Sequence, residues 1–180
     1  MTKIIILAGG WGTRLGRQTE VIPKPMVRIG DKPVLWHIMK FYSSYGFSDF
    51  ILSLGVKSEI IKNFFLNYET NSRDFTVNLQ TGQVQKYNQS IDENWNITLS
   101  DTGLNTLKGA RIKRVEKYLV ADTNMLTYGD GVADVDIKKL YDFHKSHGKT
   151  LTLTGVYPPA RFGEIIDSDS KVISFEEKPQ

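Results

Sequence analysis

The run Leu7-Ala8-Gly9-Gly10-Trp11-Gly12-Thr13-Arg14 places three glycines within four positions, a composition that lets backbone approach an anion closely. Successive N–H groups in such a turn can cradle phosphate oxygens. Thr13 adds a hydroxyl donor, and Arg14 adds a permanent cation with a forked geometry. Two better-known glycine patterns do not fit. A dinucleotide fingerprint wants glycine or alanine where this chain has Leu15, and a P-loop wants a Gly-Lys-Ser/Thr ending that is absent. The remaining alternative is a glycine turn with a purely structural role. Trp11 lies inside the run, where its ring either contacts a ligand or stays outside the site.

Lys24, ten residues after Arg14, lies in Ile22-Pro23-Lys24-Pro25-Met26, in which two prolines hold the backbone stiff around one lysine. Lys24 is thereby offered to a phosphate as a point charge, the alternative being a solvated surface lysine. Asp130 sits between Gly129 and Gly131, directly after the apolar stretch Met125-Leu126-Thr127-Tyr128, so its carboxylate is expected at a strand end. A hard oxygen ligand there suits Mg2+, which takes one or two carboxylates together with phosphates and water; an Asp-Gly turn is the plainer alternative. Asp134 and Asp136 offer a second acidic site, but they immediately precede a helical pattern and read rather as N-caps. His37, His144 and His147 form no metal-like cluster, and the aromatics Trp36 and Trp95 read as core.

These residues need a scaffold. Residues 3–8 are an unbroken, β-branched apolar run, which predicts a central strand covered on both faces. Pro33 opens a helix whose stripe is Val34, Leu35, Ile38, Met39, Tyr42 and Tyr45, ended by Gly46. A strand follows at 49–55, then a helix with Ser58 as its N-cap and Ile60, Ile61, Phe64, Phe65 and Tyr68 inward. From 67 to 94 the composition turns polar, and short alternating pieces at 75–79 and 83–87 predict a surface hairpin. Strands are expected at 96–100, 124–128, 150–157 and 171–175, and a helix at 136–147. The alternation predicts an α/β fold: a mixed, mainly parallel sheet with helices on both faces, in which ligands bind beyond the carboxyl ends of the strands.

At 180 residues, 40% hydrophobic and 24% charged, the chain reads as a single domain over 1–180. Its net charge of +3 comes from cations scattered among acids, which argues against a nucleic-acid partner. Cysteine is absent, so no disulfide framework or thiolate metal site exists. The first apolar run is too short for a membrane span and lacks a signal-peptide pattern, so a cytoplasmic location without membrane contact is expected.

The pairing of Gly9-Gly10-Trp11-Gly12-Thr13-Arg14-Leu15 with Pro23-Lys24-Pro25-Met26 resembles the signature of the sugar-phosphate nucleotidyltransferases. Trp95-Asn96-Ile97-Thr98-Leu99, Tyr128-Gly129-Asp130-Gly131, Arg161-Phe162-Gly163 and Phe175-Glu176-Glu177-Lys178-Pro179 extend the likeness in order along the chain. The cytidylyl-transferring branch that uses glucose 1-phosphate is nearest in pattern. This resemblance implies a three-layer, Rossmann-like fold of the nucleotide-diphospho-sugar transferase type. It implies transfer of cytidylyl from CTP to a sugar 1-phosphate, with Mg2+ as cofactor, in nucleotide-sugar and surface-polysaccharide biosynthesis. Leu7, Ala8, Gly9, Gly10, Trp11, Gly12, Thr13, Arg14, Lys24, Thr106, Gly109 and Arg111 would bind the nucleotide. Arg14, Lys24 and Asp130 would carry catalysis, Asp130 as the metal ligand, while Lys178 would meet the sugar phosphate and Glu177 the sugar hydroxyls. Uridylyl and thymidylyl relatives read the base with Gln-x-x-Pro-x-Gly-Leu-Ala, a segment replaced here by residues 101–111. Cytidylyl relatives tend to carry Thr-Gly-Gly-Arg where this chain has Lys108-Gly109-Ala110-Arg111. Relatives continue beyond the point where this sequence stops, so the family's C-terminal region, with a second acidic ligand and oligomer surfaces, is expected to be missing; a homo-oligomer is expected for the family. Other phosphorylated acceptors, a glycosyltransferase using the same metal aspartate, and a non-catalytic nucleotide-binding module are the competing readings.

Overall fold

The computed structural model describes residues 2–11, 21–87, 92–156 and 164–176. In chain order the elements are β1 (Lys3–Leu7), β2 (Arg28–Ile29), β3 (Lys32–Pro33), α1 (Val34–Ser44), β4 (Asp49–Leu54), α2 (Ser58–Leu66), α3 (Tyr68–Asn71), β5 (Phe75–Val77), β6 (Val84–Lys86), β7 (Asn96–Asp101), α4 (Lys108–Arg114), β8 (Asn124–Tyr128), α5 (Ile137–His147), β9 (Glu164–Ser168) and β10 (Lys171–Glu176). Residues up to Asp134 form one compact unit, and those from Val135 onward a second.

The first unit is organised by β1. Its neighbours β4 and β8 run parallel to it, with Ile5 in register with Ile51 on one side and Leu126 on the other. β7 pairs parallel with the far edge of β4, giving the order β7-β4-β1-β8. All six residues of β4 are buried, as are Ile4, Ile5 and Ile6. Because successive side chains alternate between faces, burial of both sets means that both faces are covered, as the unbroken apolar runs predict. On one face Ile5 and Ile51 pack with Val115, Ile112, Tyr118 and Leu119, which seats α4 and the turn after it against the sheet. Asp49 is buried at the start of β4, where Lys3 Nζ donates to its Oδ1 at 3.1 Å.

Helix α1 buries Leu35, Ile38, Met39 and Tyr42 of the expected stripe, while Val34 at its start is half-buried and Tyr45, at its C-cap, is exposed. Ser58, expected to cap α2, is instead its first helical residue; Lys57 holds the cap position in a left-handed conformation with φ 54°, and no side chain caps the helix. The tight turn from Gly55 accounts for this, since the Ser58 amide is drawn back to the Gly55 carbonyl at 3.2 Å. The polar excursion contains the expected hairpin, β5 against β6, with a turn in which Asn78 Oδ1 accepts from the amides of Gln80 and Thr81. The excursion is tied to α1 by a polar chain: Trp36 Nε1 donates to Tyr68 Oη at 2.8 Å, Tyr68 donates to Glu93, and Lys40 donates to the other Glu93 oxygen. Trp36 and Trp95 are half-buried, with rings 5.9 Å apart, and Trp95 meets buried Phe50 at 5.7 Å.

In the second unit, Asp136 Oδ1 caps α5 by accepting from the Lys139 amide at 2.9 Å, and Gly148 ends the helix at φ 64°. β9 and β10 form an antiparallel hairpin whose two-residue turn, Asp169-Ser170, has both φ values positive, the twist that suits such a hairpin. The strand expected at 150–157 is absent over 151–156, which carry no regular structure. Among the described residues no neighbouring strand supplies a ladder for it, and Leu151 and Leu153 are 70% and 80% exposed. The described sheet around β1 is wholly parallel; the antiparallel strands form separate pairs. Among the described residues no helix is long and apolar enough to cross a membrane.

Candidate active site

Successive strands add to one side of β1 as β4 and β7, after which the chain crosses to the other side to form β8. That reversal lies between β1 and β8, the place where open α/β sheets bind ligands beyond the strand ends. A cavity of about 490 Å3 lies there, within the usual size range for small-molecule sites. Its walls come from Leu7 to Trp11 after β1, from Lys24 and Pro25, from Leu104 to Lys108 with Arg111, and from Tyr128 and Asp130 at the end of β8.

The glycine loop leaves β1 under main-chain control. The Ala8 amide donates to the Ser53 carbonyl at 3.0 Å, the Val56 amide to the Gly9 carbonyl at 3.4 Å, and the Gly129 amide to the Leu7 carbonyl at 3.0 Å. Gly129 is closely packed: a Cβ there would lie 3.1 Å from the Leu7 carbonyl and 3.2 Å from the Pro25 ring, so its neighbours would have to give by a few tenths of an ångström. The prolines around Lys24 act as expected. Pro23 is extended, Pro25 is buried in a single turn of 3-10 helix, and the Met26 amide closes that turn on the Pro23 carbonyl at 2.8 Å. Lys24 Nζ consequently stands 3.8 Å from Asp130 Oδ2.

Arg111 is only 5% exposed, and its guanidinium makes four hydrogen bonds. Burial, with Arg114 nearby as a second cation, pulls its pKa below the ordinary arginine value. Arg114 in turn donates to the Thr102 carbonyl and, at 2.7 Å, to Thr106 Oγ1, leaving the Thr106 hydroxyl hydrogen available to a ligand. Lys108 Nζ lies 5.1 Å from the centre of the Tyr128 ring, within cation–π range. Among the described residues no carboxylate forms an ion pair with Lys108, so it and Lys24 give the cavity a positive excess.

Of the residues expected to bind nucleotide, Leu7, Ala8, Gly9, Gly10, Trp11, Lys24, Thr106 and Arg111 line this one cavity, together with Asp130. Trp11 is 59% exposed at its edge. Gly109 is on α4 but is not among the lining residues. Gly12, Thr13, Arg14, Glu177 and Lys178 lie outside the described residues. Sequence reasoning did not single out Asn105, Lys108 or Tyr128; Lys108 lies three residues before Arg111, one helical turn away, and Tyr128 immediately precedes Gly129-Asp130. Among the described residues no group of three or more His, Asp or Glu gathers to hold a metal. Asp130, a single half-exposed carboxylate on an open cavity, fits Mg2+ held mainly by phosphate and water, and does not fit an all-protein cage.

The family model for nucleotidyl transferases matches residues 3–180. The chain is 50% identical over 179 residues to the glucose-1-phosphate cytidylyltransferase of Salmonella typhi, covering 99% of this chain and 69% of that protein. It is 43% identical to a probable glucose-1-phosphate cytidylyltransferase of Bacillus subtilis, covering 98% of this chain and 68% of that one. Among solved structures, HddC from Yersinia pseudotuberculosis complexed with GMP-PN matches with a TM-score of 0.63 and 29% identity, over all of this chain and 71% of that one. The fold recurs at 20% identity, with a TM-score of 0.61, in a glucose-1-phosphate thymidylyltransferase from Bacillus anthracis described as putative, covering 99% of this chain and 65% of that one. With a parallel sheet whose switch point holds the glycine loop, the proline-flanked lysine and the strand-end aspartate, the chain belongs to the nucleotidyl transferase family and is a nucleotidyltransferase.

Proposed function

We propose that this chain transfers the cytidylyl group of CTP to glucose 1-phosphate, releasing pyrophosphate and forming CDP-glucose. The observation that carries the reading is the meeting of Lys24 and Asp130, from segments 106 residues apart, at the mouth of a glycine loop in one cavity. Identity of 50% to a cytidylyltransferase, against 31% to a heptose 1-phosphate guanylyltransferase from Aneurinibacillus thermoaerophilus, supports cytosine over guanine.

In the proposed reaction an oxygen of the sugar phosphate attacks the α-phosphorus of CTP, a new P–O bond forms as the α–β bridge breaks, and pyrophosphate departs. The attacking phosphate is already anionic, so no side chain needs to remove a proton. What the protein must supply is alignment and charge stabilisation. The amides of the Gly9–Trp11 turn would hold phosphate oxygens, and Lys24 with Arg14 would meet the charge gathering on the leaving pyrophosphate. Glu177 and Lys178 are assigned to the acceptor. Mg2+, held by Asp130, would offset repulsion between two anionic reactants when bound. A cytoplasmic location, assembly as a homo-oligomer and a supply role in surface-polysaccharide synthesis belong to the same reading.

The test is pyrophosphate release from each of four nucleoside triphosphates against several sugar phosphates, with and without Mg2+. CTP with glucose 1-phosphate is expected to be the best pair. Asp130→Asn is expected to lower turnover by about 100-fold or more, with an unchanged melting profile. Equal rates with all four nucleotides would remove the assignment of the base, and an unaffected D130N variant would remove that of the metal.

A further inference from the structure

We propose that Arg111 is a positioning residue, which fixes the Gly9–Gly10 peptide so that its N–H is presented to a nucleotide phosphate, and that Gly55 exists to make room for it. The inference rests on the reading of the cavity as a nucleotide site, and concerns how the site is held in shape.

Arginine in such a cavity would ordinarily be read as a cation for phosphate. Its hydrogen bonds say otherwise. Nη1 donates to the Leu54 carbonyl at 2.9 Å and to Thr102 Oγ1 at 2.7 Å, while Nη2 donates to the Gly9 carbonyl at 2.9 Å and the Leu104 carbonyl at 3.2 Å. The four N–H groups of the guanidinium fork are thereby committed to protein acceptors, and only Nε–H remains. Three of those acceptors are main-chain carbonyls, from the loop after β1, the end of β4 and the loop after β7. One planar group thus ties together three strand ends, a task a point-charge lysine cannot perform.

The effect on the loop follows from peptide geometry. In a trans peptide the C=O of one residue and the N–H of the next point in opposite directions. The Gly9 carbonyl is held in the wall by Arg111 and by the Val56 amide, so the Gly10 N–H must point away from that wall. Were this peptide to flip, it would offer an oxygen to an anion instead of a hydrogen.

The clamp is packed between two glycines. A Cβ on Gly9 would overlap Arg111 Nη1, and one on Gly55 would fall 2.5 Å from the Gly9 carbonyl and 2.6 Å from Nη1. Gly55 does not line the cavity. Its substitution therefore disturbs the clamp without removing any group that touches a ligand, which separates positioning from direct contact.

The experiment measures CTP affinity by calorimetry for the wild-type chain and for Arg111→Met, Arg111→Lys, Gly55→Ala and the R111M/G55A pair. It adds KM for CTP and for glucose 1-phosphate. Positioning predicts that each single variant weakens CTP binding by about 10-fold or more, that the double variant is no worse than the worse single one, and that KM for glucose 1-phosphate at saturating CTP is unchanged. A merely structural role would lower the amount of active protein, and so kcat, with both KM values intact, which would overturn the inference. It is also overturned if R111K binds CTP like wild type, since charge alone would then suffice, or if G55A folds and binds normally. Should G55A fail to fold, the R111K result decides. Failure of the wild-type chain to bind CTP would instead strike the proposed function, and is read separately.

Discussion

The side of the cavity built from the loop after β1 and the side built from Leu104 to Lys108 are made in different ways. The first is pinned by main-chain bonds to Ser53 and Val56 and by the buried Arg111, and the middle of its strand is covered on both faces. The second is tied to the Arg111 guanidinium only at the Leu104 carbonyl, and carries Leu104 and Leu107 at 55% and 81% exposure and a lysine held by a ring contact. Buried, hydrogen-bonded groups cannot change without disturbing the core, whereas exposed side chains can. The pinned side suits phosphates, which every nucleoside triphosphate shares, and the exposed side suits whatever differs between substrates. Lys108, where cytidylyl relatives tend to carry threonine, falls on the exposed side.

The comparison breaks most sharply at Gly9. Gly9→Ala would force the loop off Arg111 and off the Gly55 amide, 2.8 Å from the added carbon, and is expected to lower CTP affinity by about 100-fold or more, beyond either clamp variant, with a reduced melting temperature. Titration calorimetry and a thermal melt read both effects. Next comes Lys24→Met, expected to reduce kcat/KM by about 100-fold with little change in stability, since methionine keeps the largely covered apolar stem and the ion pair that is lost is a long one. Lys108→Thr should be milder, a several-fold rise in KM that shrinks as salt is added, because exposed charges are screened. A loss at Lys108 as large as that at Gly9 would erase the distinction between the two sides.

Tyr68→Phe gives the smallest effect and serves as a control away from both. Burial, with Glu93 beside it, pushes the Tyr68 hydroxyl up to about 12 from its ordinary 10. The folded protein therefore holds this proton through a window in which the unfolded chain has lost it. The stability it contributes is complete below pH 10 and is lost as pH rises toward 12. Y68F should abolish that alkaline component in melts taken across the window, while leaving CTP affinity at neutral pH untouched.

Regular periodicity made much of this molecule legible. The apolar run of β1 announces two covered faces because it is unbroken, and the stripe of α1 announces one because it repeats at the helical period. Lys24 and Asp130 were readable because their neighbours, stiff prolines around the lysine and glycines without side chains around the aspartate, carry their meaning locally. Arg111 was visible as a member of the site through resemblance, but its bonding was not. Two of its main-chain acceptors lie 57 and 102 residues away, and a carbonyl has no residue identity to recognise. Gly55 was hidden for the same reason, reading as the end of a strand when its lack of a side chain is what admits the guanidinium. Lys57 was missed because a left-handed lysine ahead of a helix follows from the turn around it and not from its own preference.

The contact between Lys24 and Asp130 also bears on how charged ligands would be received. At 3.8 Å, with the carboxylate 45% exposed, the two act as each other's counterions, weakly enough to be exchanged. A divalent cation arriving alone would strand the ammonium, and a triphosphate arriving alone would strand the carboxylate. Under the proposed function a metal–triphosphate complex would replace both partners at once, so exchanging this weak pair would cost such a complex little.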